Sequence, residues 1–514
     1  MHLSDQEVIR RQKLDEIRKL GIDPYPAASF TITHHSTDIK TNYTEETKDQ
    51  FAAVSLAGRI MSLNDKGKVL FIKIQDSKGI IQLYVRRDDI CPGEDKSFFD
   101  QLIKHLIDLG DIIGVAGFAF ITKTGETSIH AQTITLLNKS LKPLPVVKRD
   151  EEGHVFDAVT DPEFRYRQRY ADLIINPHVR ETFVKRTTMI NTMREFLNKQ
   201  GALEVETPVL QSIPGGATAK PFITHHNALD IPLYLRIANE LYLKRLIVGG
   251  FDWVYEFSRD FRNEGMDRTH NPEFTILEFY VAYKDYLWMM ETTEQMLEKT
   301  ALAVNGTTDA QIGDKTVSFK APFKRVSIYD AIKEYTGFDI SAMEESELRE
   351  VCKKLHVDVA PNLGKGKLID AIFGEKCEHN YLQPTFIIDY PIEMSPLTKK
   401  HRSKKGVVER FELMVNGKEV ANAYTELNDP IDQRERFEDQ VKLMERGDDE
   451  AMFIDHDFLR ALEYGMPPTA GIGIGIDRLA MMLTNSHSIQ DVLFFPQMRP
   501  ERVEGGEKPE EIKN

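Results

Sequence analysis

The chain has 514 residues, with 66 Lys and Arg against 81 Asp and Glu, so its formal net charge at pH 7 is −15. At roughly 150 residues per domain this length predicts about two to four domains. The acidic balance argues against a protein that coats nucleic acid or an anionic membrane by bulk charge. The three cysteines are far apart, which argues against a disulfide scaffold and a zinc ribbon. No signal segment or membrane-spanning run is found, so the sequence predicts a cytoplasmic protein without a membrane partner.

Residues 1–50 predict an N-terminal helix followed by an extended segment. Apolar residues recur at helical spacing from residue 4 to residue 20, and Ser4 with Glu7 forms a capping-box pattern. Gly21 then ends the helix, and a proline-containing stretch follows.

Five strand-like runs lie between residues 51 and 142, with glycine-containing turns between several of them. A helix-like stretch falls between the third and fourth runs. This order is typical of a small Greek-key barrel of the OB type, which often binds single-stranded nucleic acid. The sequence therefore predicts an all-β OB-fold barrel over 51–142.

The rest of the chain mixes helices with strands. Residues 143–175 are predicted to be a linker, because the stretch that opens this segment is basic and contains proline. An α+β domain is predicted over 176–502, and it opens with a long helix followed by a strand at 202–210. A mostly helical insertion is expected at about 325–380, and a flexible tail at 503–514.

Two stretches of this domain carry informative residues. The junction at 201–208 is, by itself, typical of a helix end and an edge-strand proline. The second stretch, 261–274, is a polar loop between two strand-like runs, which would hold Arg262 and Glu264 on one face. Arg262 there suits a phosphate or a carboxylate, and Phe274 can stack on a base. A salt-bridged hairpin is an equally common reading of this pattern.

A third stretch alternates glycine with isoleucine over 471–475, and Arg478 begins the helix that follows. The spacing fits neither a GxGxxG fingerprint nor a Walker A loop. It predicts a strand with one bare face against a ligand or another backbone, although a simple packing strand is the commoner case.

In this order, the three stretches resemble the signature motifs of the class II aminoacyl-tRNA synthetases. The OB-like domain ahead of them suggests the subgroup that contains the lysyl, aspartyl and asparaginyl enzymes. Within that subgroup the chain is similar to the bacterial-type lysyl-tRNA synthetases, over about residues 50 to 500. The residues that carry this similarity are IPGGATAKPF (213–222), IANEL (237–241), ILEFY (276–280) and EVANAYTELND (419–429).

The resemblance implies a class II catalytic domain built on an antiparallel sheet, preceded by the OB barrel. It implies ATP-dependent attachment of L-lysine to tRNA(Lys) through a lysyl-adenylate, in support of translation. It also implies a homodimer, ATP as a substrate, and Mg²⁺ as cofactor with up to three ions per subunit.

A pocket for lysine needs two anionic regions and one cationic clamp, because a desolvated unpaired charge is costly. The resemblance places the α-ammonium at Glu240, the carboxylate at Arg262 and the side-chain ammonium at Glu426. An aspartate-selecting pocket would present cations instead, and a strand-surface acid is the alternative reading of Glu278. The complete set implied for lysine binding is Gly216, Glu240, Arg262, Glu278, Tyr280, Asn422 and Glu426.

Glu412 and Glu419 offer hard oxygen ligands across an expected hairpin, and Mg²⁺ is usually held by carboxylates together with phosphates. The resemblance assigns the metal to these two residues and catalysis to Arg262 and Arg478. No general base is required, since positioning and charge neutralisation can drive the first step. The residues implied for ATP binding are Arg262, Glu264, His270, Phe274, Glu412 and Arg478.

In the OB-like domain, Arg59, Phe71 and Gln82 fall where the family reads the anticodon. Phe71 offers a stacking face, and the other two offer hydrogen bonds to base edges, although a core position is an equal alternative for Phe71. The basic segment 399–410 is either a solvated loop or a phosphate-contacting, mobile loop near ATP.

Two other functions remain open at this point. A lysine ligase that modifies a protein would share the fold, but such relatives generally lack the OB domain. A non-catalytic RNA-binding paralogue should have lost a central residue, yet Arg262, Glu412, Glu419 and Arg478 are all present.

Overall fold

The structure, a computed structural model, describes residues 3–145, 148–149, 155–156, 160–217, 219–445 and 453–500. The chain divides into two compact units, Met1–Asp161 and Pro162–Asn514. The predicted tail at 503–514 and the centre of the predicted linker lie outside the described residues. The end of the linker prediction is wrong, because residues 162–175 form two helices of the second unit.

The first unit contains a closed barrel of five strands: β1 (Val54–Asp65), β2 (Val69–Gln75), β3 (Ile80–Arg86), β4 (Ile112–Ile121) and β5 (Thr127–Asn138). Its strand order is β1-β2-β3-β5-β4, with β3 and β5 parallel. Leu70, Ile72 and Ile74 fill the barrel, whereas Phe71 between them faces outward, as the two-residue period of a strand requires. This confirms the predicted OB-type barrel.

Short helices surround the barrel: α1 (Asp5–Lys19), α2 (Ser36–Asn42), a 3₁₀ turn (Lys48–Phe51), α3 (Arg87–Ile90) and a π-helix (Phe98–Leu106). The predicted capping box is present, because the side chains and backbones of Ser4 and Glu7 exchange hydrogen bonds. The π-helix lies between β3 and β4, where the sequence predicts a helix. A short strand pair, β6 (Lys148–Arg149) and β7 (Val155–Phe156), follows the barrel in this unit.

The second unit combines helices on the flanks with a large sheet. Its helices are α4 (Pro162–Arg167), α5 (Arg169–Ile175), α6 (Pro177–Lys199), α7 (Glu240–Val248), α8 (Tyr286–Asn305), α9 (Ile328–Thr336), α10 (Glu345–Lys354), α11 (Lys365–Lys376), α12 (Pro430–Glu445), α13 (His456–Glu463) and α14 (Ile476–Leu483). Short 3₁₀ turns lie at Glu378–Asn380, Ile392–Met394 and Ile489–Asp491. No described helix is long and apolar enough to span a bilayer.

The strands of this unit are β8 (Leu203–Glu204), β9 (Leu210–Gln211), β10 (Ile223–His226), β11 (Ile231–Leu235), β12 (Trp253–Phe261), β13 (Glu273–Ala282), β14 (Asp309–Ile312), β15 (Lys315–Ser318), β16 (Lys324–Ser327), β17 (Thr385–Ile388), β18 (Arg410–Val415), β19 (Lys418–Thr425) and β20 (Thr469–Gly475). In the described residues the large sheet has the order β16-β17-β18-β19-β20-β13-β12-β8, and its central strands are antiparallel. The predicted α+β class is confirmed.

The two faces of the large sheet differ. Leu277 and Phe279 of β13 and Ile472 of β20 are fully or almost fully buried in a core that includes residues of α6, α8 and α14. The opposite face carries the glycines of β20 and a row of charged side chains. Because successive residues of a strand alternate between faces, one run of sequence supplies both the core and this polar face.

The strand predicted at 202–210 is wrong over most of its length, because only β8 and β9 form at its two ends. Val205 still donates its backbone N–H to the carbonyl of Tyr255. Pro208 has no N–H to continue such a ladder, which explains the interruption. Between β16 and β17 the chain forms α9, α10 and α11 around a separate apolar core.

Candidate active site

The sheet register brings distant parts of the sequence into one row. Glu278 on β13 lies opposite Gly473 on β20, Gly473 lies opposite Asn422 on β19, and Asn422 lies opposite Glu412 on β18. Residues that pair across strands share a face. Three polar side chains predicted from separate motifs therefore point to the same side of the sheet, with a glycine between them.

A second row runs beside the first. Tyr280 on β13 lies opposite Gly471, Gly471 lies opposite Tyr424, and Tyr424 lies opposite Arg410. The two glycines leave space between the large side chains of the flanking strands. Above them is a cavity of about 460 Å³ that both rows line. It has the size and mixed polarity of a small-molecule site.

One end of the cavity is acidic. Glu240, Glu278 and Glu426 are all buried, at 5%, 5% and 1% exposure. The Tyr280 hydroxyl donates to Glu278 Oε2 at 3.1 Å, and the Tyr424 hydroxyl donates to Glu240 Oε1 at 2.6 Å. Burial raises the pKa of Glu278 and of Glu426 well above the usual carboxyl range, and neighbouring carboxylates raise both further. Such a pocket is suited to a ligand that carries positive charge.

Gly216 closes the pocket beside Glu240. Its φ of 87° is in the left-handed region, and a Cβ atom there would lie 3.2 Å from the Cβ atom of Glu240. Glycine therefore lets the backbone approach this carboxylate closely. Residue 218 of the same motif lies outside the described residues.

Lys244 on α7 was missed by the sequence analysis. Its side chain is fully buried, and its ammonium lies 2.5 Å from Glu240 Oε1 and also pairs with Glu426. The helix spacing offered a signal, since Glu240 and Lys244 are four residues apart on one helix face. The pairing with Glu426 joins residues far apart in sequence, so only the fold reveals it.

Arg262 lies just after β12 and lines the cavity together with Glu264. Strand β12 ends at Phe261, so Arg262 and Glu264 do not alternate along a strand, and that expectation is wrong. The backbone N–H of Arg262 donates to the Pro272 carbonyl. The Arg262 guanidinium lies 5.0 Å from the centre of the Phe274 ring. Its Nε is buried and finds no partner among the described residues. The donor is therefore available to an anionic group in the cavity.

Glu264 lies in the exposed loop after β12, and its Oε1 accepts from the backbone N–H of Lys220 at 3.4 Å. It lines the cavity together with Phe274 and Asn271. This places a carboxylate and an aromatic ring at the same end of the cavity, away from the acidic pocket on the sheet.

Arg478 and His270 meet at the cavity wall. Arg478 Nη2 donates to His270 Nε2 at 3.1 Å, and the opposite ring nitrogen of His270 lies 2.8 Å from Asp267 Oδ2. Because the guanidinium is always a donor, Nε2 must accept and Nδ1 must carry the proton. Arg478 Nη1 also donates to the Glu419 carbonyl at 2.9 Å. The helix α14 and the loop after β12 thus present a cationic edge.

Glu412 and Glu419 share a face because of a bulge. The register of β18 and β19 shifts between Leu413 and Met414, so Glu419 lies opposite Met414 while Asn422 lies opposite Glu412. At this bulge β19 has one residue more than β18. Without that extra residue, Glu419 and Asn422 would point to opposite faces of the sheet. Burial and the Glu419 charge raise the pKa of Glu412 to about 7.

Arg410, a second residue missed by the sequence analysis, holds this region together. Its Nη2 donates to Glu412 Oε1 at 2.6 Å and its Nε donates to Asn422 Oδ1 at 3.1 Å. The described residues contain no cluster of three or more His, Cys, Asp and Glu side chains suited to a metal. A pair of carboxylates nevertheless fits Mg²⁺, which usually takes one or two carboxylates plus phosphate and water oxygens.

The basic segment 399–410 is packed against carboxylates. Arg402 pairs with Glu409 and with Asp285, and Lys404 Nζ lies 2.6 Å from Asp389 Oδ2. These cations already have protein partners, which favours a packed loop over a mobile phosphate contact.

On the barrel, the three residues predicted to read an anticodon share the outer face. Phe71 lies opposite Tyr84 with ring centres 5.6 Å apart, and Gln82 pairs with Lys73 in the adjacent row. Gln82 is 8% exposed and donates to Ser128 Oγ at 3.0 Å. Arg59 donates to the Gly110 carbonyl at 2.7 Å. The Phe71 ring is half-buried, so it is not part of the barrel core.

Comparison with known proteins finds a matching family for each of the two units. A family described as tRNA synthetases class II (D, K and N) matches residues 161–499, and an OB-fold nucleic acid binding domain matches residues 54–137. Proteins named Lysine--tRNA ligase from Porphyromonas gingivalis and Christiangramia forsetii are 65% and 64% identical over 503 and 512 residues, covering 98% and 99% of this chain and 87% and 89% of their own. One from Azobacteroides pseudotrichonymphae is 59% identical over 98% of this chain and all of its own length.

The sheet, its polar cavity and the matched regions define a class II aminoacyl-tRNA synthetase of the D, K and N subgroup. Within that subgroup the chain belongs to the lysine--tRNA ligase family, since relatives of that name align with nearly all of it at 59–65% identity. The family and the enzyme class predicted from the motifs are confirmed.

Proposed function

We propose that this protein activates L-lysine with ATP and transfers the lysyl group to tRNA(Lys). The observation that carries the proposal is a group of three buried glutamates: Glu240 and Glu278 line one end of the cavity, and Glu426 lies against the cavity-lining Gly471. A substrate with an ammonium at each end compensates such a pocket, whereas an acidic amino acid would be repelled. The name shared by the relatives supports the same substrate.

The lysine carboxylate is the nucleophile of the first reaction. Glu240 beside Gly216 binds the α-ammonium, and Glu278, Tyr280 and Glu426 bind the side-chain ammonium. Arg262, with its unpaired Nε, meets the carboxylate and the α-phosphate. Asn422, in the central row of the sheet, supports the same groups.

ATP lies along the rest of the cavity. Phe274 and Glu264 hold the adenine, while His270 and Arg478 contact the phosphates at the cationic edge. The lysine carboxylate attacks the α-phosphorus in line with the leaving pyrophosphate, which gives lysyl-adenylate. Arg262 and Arg478 offset the charge that develops, so the residues act by positioning and electrostatic stabilisation. The 3′-terminal ribose hydroxyl of the tRNA then accepts the lysyl group and AMP leaves.

Magnesium is the proposed cofactor, held by Glu412 and Glu419 together with the ATP phosphates. When bound, it would offset the negative charge of those phosphates. Arg410 and the Tyr390 hydroxyl each donate to Glu412, at 2.6 and 2.7 Å, and so fix the orientation of its carboxylate.

The barrel is proposed to read the tRNA anticodon. Phe71 supplies a ring for base stacking, and Arg59 and Gln82 lie on the same outer face. A homodimer is also proposed, because apolar side chains remain exposed around α6 and the strands after it: Val184, Leu203, Val209, Leu210 and Ile223.

The test of the proposal is lysine transfer to purified tRNA. The full chain with ATP, Mg²⁺ and labelled lysine should charge a tRNA(Lys) transcript and leave an anticodon-substituted transcript largely uncharged. Label on a protein acceptor in place of tRNA would favour a protein-modifying ligase. Absence of any lysyl-adenylate would favour a non-catalytic RNA-binding protein. Light scattering of the same preparation tests the dimer.

A further inference from the structure

Lys244 has no part in the reaction described above, yet it pairs with Glu240, which lines the cavity, and with Glu426. Its side chain is fully buried on α7, and its ammonium bridges Glu240 and Glu426. The rings of Tyr424, Phe458 and Tyr280 surround it, with centres 5.4, 5.9 and 6.0 Å from Nζ. A buried ammonium in this setting persists only because it is paired.

The two carboxylates that Lys244 joins are the ones proposed to bind opposite ends of the substrate. Neither carboxylate oxygen of Glu426 accepts a hydrogen bond from the described residues: Oε2 forms the ion pair with Lys244, and Oε1 has no ion-pair partner either. A buried carboxylate oxygen without a donor is rare, so Oε1 is available to accept from a bound ammonium group. Glu426 Oε1 faces the bare backbone of Gly471, on the cavity side of the sheet.

The charges of this pocket also match the substrate. Three glutamates and one lysine give a formal charge of −2 when all are ionised, and lysine brings two ammonium groups. Without Lys244 the pocket would hold three buried carboxylates, and their mutual repulsion would favour protonation of at least one.

We propose that Lys244 is a positioning residue for lysine recognition: its buried ammonium fixes Glu240 and Glu426 and leaves Glu426 Oε1 to accept the side-chain ammonium of the substrate. The inference rests on the proposed function of the site. It deepens that function by assigning the orientation of both carboxylates to one internal cation.

Pyrophosphate exchange with the full-length Lys244→Met variant tests this role. The KM for lysine should rise about 10- to 100-fold, the effect of losing one charged hydrogen bond, while the KM for ATP changes less than about threefold. The lysine KM of wild type and variant is also measured against pH. Removing the cation raises the pKa of Glu426 further, so the pH below which KM climbs should lie at least about one unit higher in the variant.

Lys139→Met is the matched control. Lys139 is likewise fully buried and pairs with Asp108 and Asp111, but it lies in the first unit. Both Lys139→Met and Lys244→Met should lower the melting temperature, but Lys139→Met should leave the lysine KM unchanged. Lys244→Gln, which keeps one hydrogen bond, is the second variant if Lys244→Met does not fold.

An unchanged lysine KM in either folded Lys244 variant, or a pH profile that does not move, would overturn the proposal while leaving the function intact. Failure of both variants to fold would assign Lys244 to the fold alone and also overturn it. Lack of lysine-dependent exchange in the wild-type enzyme would instead reject the proposed function itself.

Discussion

Gly471 and Glu426 are so close that residue 471 can carry no side chain. A Cβ atom built on Gly471 would lie 2.2 Å from Glu426 Oε1, and 2.4 Å from an edge carbon of Tyr280. Contacts this short do not occur between real atoms, so one group would have to move. The glycine is therefore part of the proposed lysine pocket, to which it contributes only the absence of a side chain.

Gly471→Ala should disable the lysine pocket without unfolding the sheet. We expect a rise of about 100-fold or more in the lysine KM, since the methyl group displaces a buried carboxylate, and a much smaller change for ATP. Gly475→Ala on the same strand is the matched comparison, because its closest neighbour would be 3.6 Å away. Equal effects of the two substitutions on the lysine KM would contradict this account.

Lysine binding should weaken at low pH. Burial raises the pKa of Glu278 and Glu426 in the free enzyme, and the substrate ammonium requires their ionised forms. The lysine KM should therefore fall as the pH rises, by up to about tenfold per unit for each group that must lose a proton, and then level off. Exchange assays across the pH range measure this slope. Glu278→Gln should raise KM but give a shallower slope; a slope unaffected by this change would exclude Glu278.

Arg262→Lys should slow lysine activation although it retains the charge. Arg262 Nε is buried without a partner and its guanidinium stacks near Phe274, and a lysine supplies neither the fork of donors nor the flat surface. We expect kcat for exchange to fall by about 100-fold, as for the loss of a transition-state donor. The control is Arg259→Lys, since the Arg259 side chain forms an exposed pair with Glu273 and no other ion pair with the described residues. A rate within about twofold of wild type for Arg262→Lys would contradict the assignment.

Substitution of Phe71 should affect the transfer of lysine to tRNA but not the activation of lysine. Phe71→Ala should raise the KM for tRNA by about tenfold, the value of one stacked base, and leave pyrophosphate exchange unchanged. Phe71→Leu keeps the apolar volume but removes the ring. If Phe71 only fills space beside Tyr84, the leucine variant will charge tRNA normally, and the stacking role fails.

The sequence predicted the strands better than the contacts between them. The pattern of residue types along the chain predicted the barrel strands and β20, because the two-residue period of a strand is a local property of the backbone. The bulge between Leu413 and Met414, which puts Glu419 beside Glu412, has no such local signal. Ala421 and Ala423 flank Asn422 but are buried in the core on the opposite face, so their methyl groups do not face the cavity.

Charged partners were the hardest feature to predict. Lys244 lies on an ordinary amphipathic helix, and its proposed role depends on Glu426, which follows β19 and lies 182 positions later in the sequence. Arg410 was likewise not singled out, because it belongs to a basic segment whose composition resembles that of a solvated loop. Pairings of this kind are set by tertiary packing and not by spacing, whereas Arg262, Glu278 and Glu412 could be singled out because they lie in short, distinctive motifs.

Amino-acid selectivity in ATP–pyrophosphate exchange tests the central claim most directly. The purified chain is given ATP, Mg²⁺ and each of lysine, aspartate and asparagine in turn, and the label that returns to ATP is counted. The acidic pocket predicts exchange with lysine and background with the other two. Exchange that depends on aspartate or asparagine, with none for lysine, would contradict the account of this pocket.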